Sequence, residues 1–204
     1  MFFRLLGQCF FVCVLMISTA RAGVVLQIDL STVNQVTISA TTGLSAASVS
    51  GSDGNGVYLK DFLATASAGT FNVSPVAGSS FVYFNTTAGA SGRLFRSGNT
   101  DPGLNLFNLH HFSSTQSFTA GVQAFKGTTT WDVAPDLYAT FLAAPTSGDV
   151  YAFADRISQL NGGPQVIGQW GIVSSAAVPE PTSMAIFGLG ALGLAYRARR
   201  KQMA

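Results

Sequence analysis

Between residues 23 and 178, short runs of apolar or alternating residues recur between clusters of glycine, serine, threonine and asparagine. Val24–Ile28, Gln35–Ile38, Val57–Phe62, Phe81–Phe84, Leu104–Phe107 and Val166–Trp170 are such runs. Segments this short, rich in Val, Phe, Tyr and Thr and punctuated at intervals of roughly 8 to 14 residues, read as β-strands rather than helices. The pattern predicts an all-β body of roughly 9 to 11 strands in a two-sheet, jelly-roll-like sandwich. Helical spacing is scarce. Its best instance is Phe153, Ile157 and Leu160, bracketed by Gly148 and Gly162-Gly163, and a strand followed by a turn fits those residues equally well. A faint similarity between Val57–Phe62 and Leu106–Phe112 fits two related half-sheets or chance.

Both ends depart from this pattern. Residues 1–22 have one early cation, Arg4, then an apolar run from Leu5 to Ile17, then small residues ending Ala20-Arg21-Ala22. That order is the order of a secretory signal peptide, with cleavage by signal peptidase set by Ala20 and Ala22 and falling before Gly23. Thirteen residues are too few to span a bilayer, which takes about 20. Cys9 and Cys13, the only cysteines, lie inside the run, so the mature chain holds neither a disulfide nor a thiolate ligand.

The C-terminal stretch contains GLGALG, Gly188 to Gly193, in the spacing of a dinucleotide-binding fingerprint. That fingerprint needs a strand before it, a helix after it and an acidic residue about 20 positions on, and the chain has no room for them. Met184 to Tyr196 is free of charge, and small residues there permit close approach of helices in lipid. A transmembrane helix at about 183–196 is the better reading, with Arg197, Arg199, Arg200 and Lys201 as a basic stop on the cytoplasmic side. Thirteen residues give about 20 Å of helix against a hydrocarbon core of about 30 Å, so the anchor is marginal and suits a temporary hold.

Ahead of it stands Pro179-Glu180-Pro181, where two prolines keep the backbone extended and Glu180 is the sole glutamate of the chain. A Pro-Glu-Pro motif, a short glycine-containing apolar helix and a terminal arginine cluster, in that order over 179–204, resemble the PEP-CTERM sorting signal of bacterial exported proteins. The resemblance implies processing near the motif by an exosortase, a membrane cysteine protease, and transfer of the body to the cell surface or exterior. It further implies a bacterium with two membranes that makes exopolysaccharide or biofilm matrix. It covers the tail alone and leaves the ligand of residues 23–178 open.

Composition sharpens the view of that body. Its eight aspartates against five lysines and arginines give a net charge of −3, so the overall +2 comes from the two ends. Nothing in it resembles a nucleic-acid-binding face. No catalytic, cofactor or metal residue is assigned: G-x-S-x-G and H-E-x-x-H are absent, and His110 and His111, read as strand neighbours, point to opposite faces, one half-buried and one solvated. Asp132 and Asp136 could serve as paired carboxylates on a sugar, but Pro135 between them favours a turn. Ser52-Asp53-Gly54-Asn55-Gly56 places oxygens as calcium loops do, yet lacks a distal glutamate and is read as a hairpin turn. Three classes of function survive. The first is a non-enzymatic exported surface or matrix protein, with an extracellular polysaccharide as a further partner class. The second is a carbohydrate-binding module that stacks sugars on Trp131, Trp170 or tyrosines. The third is an aspartate-based hydrolase.

Overall fold

In a computed structural model, the structure describes residues 23–63, 69–87 and 92–173. Thirteen strands dominate, in keeping with the all-β expectation. In chain order they are β1 (Val24–Asp29), β2 (Gln35–Ala40), β3 (Val49–Ser52), β4 (Val57–Leu59), β5 (Phe71–Val73), β6 (Val82–Tyr83) and β7 (Arg93–Arg96). After them come β8 (Leu104–Phe107), β9 (Thr115–Phe118), β10 (Phe125–Lys126), β11 (Thr128–Asp132), β12 (Ser147–Ala152) and β13 (Val166–Val173). One α-helix, α1 (Pro135–Leu142), lies between β11 and β12, and a 3-10 helix at Ile157–Gly162 precedes β13.

The division into strands follows the alternation of the sequence. In β2, Val36 and Ile38 turn inward while their neighbours are partly exposed, and in β11 Thr129 and Trp131 are buried between exposed Thr128 and Asp132. Their assembly differs from a jelly-roll sandwich. Nine strands form one sheet in the order β11-β2-β1-β13-β12-β4-β8-β7-β5, with two separate ribbons, β6 with β10 and β3 with β9. The difference comes from β1 and β13, which pair in parallel at the heart of the sheet and let one sheet continue on both sides of them. Strands twist relative to one another, so a sheet of nine curls on itself. The chain after β5 then reaches the far edge strand: the Val76 and Ser80 N–H groups donate to the Thr130 and Thr128 carbonyls of β11, each at 2.9 Å. The result is a nearly closed barrel with a seam between β5 and β11.

The core fills this barrel with one continuous cluster. Phe62 meets Phe141 of α1 and Trp170 of β13 edge-on, with ring centroids 5.3 and 5.1 Å apart. Under the two ribbons, Phe81 stacks on Phe125 at 5.2 Å and Tyr83 meets Phe118 at 5.5 Å. The two similar segments noted in the sequence, Val57–Phe62 and Leu106–Phe112, touch at one pair only, Val57 opposite Leu106, because most of the second lies in the loop after β8.

Two local expectations are corrected. The segment around Pro135 is the start of α1, not a turn. Proline at the first helical positions is preset for a helix, Asp136 in the first turn complements the positive helix end, and Leu137, Tyr138 and Phe141 share a buried face. The turn at Asp53–Asn55 is not a hairpin, because β3 pairs with β9 while β4 pairs with β8 and β12. Gly56, at φ 62°, makes that crossing possible, since a side chain there would collide with the Leu106 carbonyl.

Among the described residues no helix is long and apolar enough to cross a membrane. The helix expected at about 183–196, the signal peptide at 1–22 and the motif at 179–181 all lie outside them.

Candidate functional site

The seam of the barrel is where the molecule opens. A groove of about 600 Å³ runs between Gly69–Val73 on one wall and Asp136, Leu137 and Thr140 of α1 on the other. Helix α1 is seated against the barrel by Phe141, whose ring meets Phe71 of β5 at 6.0 Å, and by the Tyr138 hydroxyl, which donates to the Leu30 carbonyl. The Asp136 carboxylate is exposed in the groove and has no ion pair among the described residues. Asp132, by contrast, ends β11 and accepts a hydrogen bond from Gln35 Nε2 at 2.9 Å; it does not line the groove. The two carboxylates considered for sugar chemistry therefore serve separate places.

The tryptophans considered as sugar platforms are core residues. Trp131 and Trp170 are both 0% exposed. Their indole N–H groups donate to main-chain carbonyls, Trp131 to Gly92 at 3.0 Å and Trp170 to Lys60 at 3.3 Å. Buried indoles need such a partner, and here both have one.

Asp53 is fully buried and acts as a clamp. Its two carboxylate oxygens accept the Leu109 and His110 N–H groups at 3.1 and 3.0 Å, and its own N–H donates to the Ser114 carbonyl at 2.7 Å. This capture ends β8 and bends the chain at Asn108, which has φ 56°. His110 and His111 consequently sit in a loop instead of a strand, half-buried and exposed, with their rings in edge contact at 4.2 Å. No cluster of three or more His, Cys, Asp or Glu able to hold a metal occurs among the described residues.

A second buried acid was not apparent from the sequence. Asp101 accepts the Tyr58 hydroxyl and the Gly103 N–H on one oxygen, at 2.5 and 2.9 Å, and the Ile157 N–H on the other at 3.1 Å. Its main-chain carbonyl takes Arg96 Nε at 2.8 Å. Burial raises the Tyr58 pKa far above the usual phenol value, and the hydrogen bond and charge of Asp101 add to the rise. Burial likewise lowers Arg96, with the charge of Asp101 opposing it. These bonds tie β4, the β7–β8 turn and the 3-10 helix into one unit. Asp101 and Arg156 also line a hollow of about 260 Å³ with Ser97 and Ser158. Arg156 is held there by Asp155, as a pair at 2.6 Å. Only the Asp-Pro-Gly turn at 101–103 hinted at this cluster in the sequence.

The residues expected to direct export and sorting are at the two ends. Gly23, the expected first mature residue, is exposed, and its carbonyl accepts the Gln169 N–H at 3.0 Å. Ala20, Ala22, Pro179, Glu180, Pro181, Arg197, Arg199, Arg200 and Lys201 lie outside the described residues. The chain leaves the barrel beside α1. Val173 is opposite Asp29, one residue before the carbonyl that Tyr138 binds, and the Ile172 N–H donates to Thr146 just past the helix.

Residues 177–201 match the PEP-CTERM protein-sorting motif. The tail is thus a sorting signal of exported proteins, which implies exosortase as its processing partner and a surface or extracellular destination. No match was found among curated proteins or among solved structures.

Proposed function

We propose that this chain is a non-enzymatic exported protein of the bacterial cell surface or extracellular matrix, of the kind associated with exopolysaccharide and biofilm. In this reading signal peptidase removes residues 1–22, the helix at about 183–196 holds the chain in the inner membrane, and exosortase then cuts near Pro179-Glu180-Pro181. The observation that carries it is the sorting motif at 177–201. Geometry supports it as well. Five residues separate Val173, the last of β13, from Pro179, so the barrel stands within about 20 Å of the motif however far that stretch extends. A folded body close to the membrane on the outer side, with the basic stop on the inner side, places the Pro-Glu-Pro sequence where a membrane protease works. The buried state of Trp131 and Trp170 and the separation of Asp132 from Asp136 favour this reading over sugar stacking and over a two-carboxylate hydrolase.

The test is Glu180→Ala. Glu180 lies outside the barrel, so the variant should fold as the parent does, while uncleaved protein accumulates in the membrane fraction. Gly190→Ala should change little, because no pyrophosphate has to meet the backbone there. Normal trimming and release of Glu180→Ala protein would sink the proposal, as would a bound nicotinamide or flavin nucleotide that Gly190→Ala removes.

A further inference from the structure

The two ends of the nine-stranded sheet are finished differently. The outer edge of β11 receives the Val76 and Ser80 N–H groups. The outer edge of β5 receives no such bond among the described residues, and β5 pairs with β7 alone. Which main-chain groups face outward follows from alternation. The Lys60 N–H donates to the Asp149 carbonyl and the Phe153 N–H to the Gly56 carbonyl, so Tyr58 bonds to β12 while Val57 and Leu59 bond to β8. Carried through the registers of β8 and β7, this turns Phe71 and Val73 toward Arg96 and Leu94 of β7 and leaves Asn72 facing outward. The stretch Gly69–Ser74 carries no charge and no proline, so it lacks the devices that usually blunt an open edge. The groove lies along this stretch, with Asp136 on the facing wall.

We infer that the seam accepts an extended polypeptide segment, carrying a lysine or arginine, as an added strand against β5. Main-chain groups at alternate residues match the repeat of a second strand, roughly 7 Å per two residues, which a sugar chain does not present. Five residues of wall cover about 16 Å, enough for a segment of four or five residues. The cation is set by charge. Asp136 has no ion pair among the described residues in a body of net charge −3, and Arg93 of β7 donates to Asn72 Oδ1 at 3.2 Å. A basic side chain lying over Asp136 would also be steered toward it in solution. The partner is therefore a strand-forming segment of another exported protein. This inference does not depend on how the tail is processed.

The test uses the full chain in mild detergent. The probe is a fluorescein-labelled hexapeptide of alternating valine and threonine with lysine at one end, followed by anisotropy. Saturable binding is expected, weakened about tenfold or more when alternate peptide nitrogens are methylated, since methylation removes main-chain donors and keeps the side chains. Asn72→Pro removes an outward-facing N–H without removing a main-chain bond to β7, so it should weaken binding about tenfold with an unchanged far-ultraviolet circular dichroism spectrum. Asp136→Asn should weaken the lysine peptide about threefold and flatten its salt dependence. Equal binding of the methylated peptide, or no saturation at millimolar peptide, overturns the inference. So does saturation by a neutral glucan hexasaccharide that Asn72→Pro leaves unaffected, which would assign the groove to a glycan.

Discussion

Two buried tyrosines illustrate how much a single partner decides. Tyr58 and Tyr83 are both 0% exposed, but the Tyr58 hydroxyl donates to Asp101 in a short bond while the Tyr83 hydroxyl lies beside the Asp53 carboxylate without a well-formed hydrogen bond. Tyr58→Phe leaves the Asp101 oxygen one donor short and should cost about 1–3 kcal/mol, whereas Tyr83→Phe removes a group with no well-formed bond and should cost less. Urea unfolding of the two variants separates these outcomes. Both phenols are pushed above their ordinary value by burial, and by the nearby Asp101 and Asp53 charges. The unfolded chain therefore releases their protons from about pH 10 upward while the folded chain keeps them, so stability should hold through neutral pH and fall above about pH 10. A double phenylalanine variant should lessen that fall, and an unchanged slope would contradict the assignment. Such pairings were not legible in the sequence, because Tyr58 and Asp101 are 43 residues apart and meet only through the β4–β8 register. The tryptophans misled for a related reason. In Thr-Thr-Thr-Trp-Asp, alternation shows that Trp131 and Asp132 face opposite ways but does not show which face the core lies on.

Among the elements, the strands were legible and the helix was not. Val24–Asp29, Gln35–Ala40 and Leu104–Phe107 formed close to where their patterning placed them, because alternation and β-branched residues report a half-buried strand directly. Helix α1 has only eight residues, and Pro135 between two aspartates gave a stronger turn signal than Leu137, Tyr138 and Phe141 gave a helical one. Its role follows from its packing. Phe141 is fully buried between Phe62 and Phe71, so Phe141→Ala should cost about 3–5 kcal/mol. Leu142, 57% exposed on the same helix, should tolerate serine to within about 0.5 kcal/mol. Thermal and urea unfolding test the pair, and equal losses at the two positions would show that Phe141 does not seat α1 on the barrel.

For the whole molecule, patterning conveyed the all-β class, and pairing decided the rest. Nothing in the runs Val24–Ile28 and Val166–Trp170 announced that they would lie side by side in parallel, since that register depends on residues more than 130 positions apart. The tail was the reverse case. Its information is linear, a motif, an apolar stretch and a basic cluster read in order by membrane enzymes, so it was legible without a fold. In the proposed function this linear signal governs the fate of a barrel that folds independently of it. Mass spectrometry of the termini of the cell-surface form is the decisive measurement. An N-terminus at Gly23 or within a residue or two of it is expected, and a C-terminus near Pro179–Pro181 with Met184–Ala204 removed. A surface form that ends at Ala204, or that begins at Met1, would contradict it.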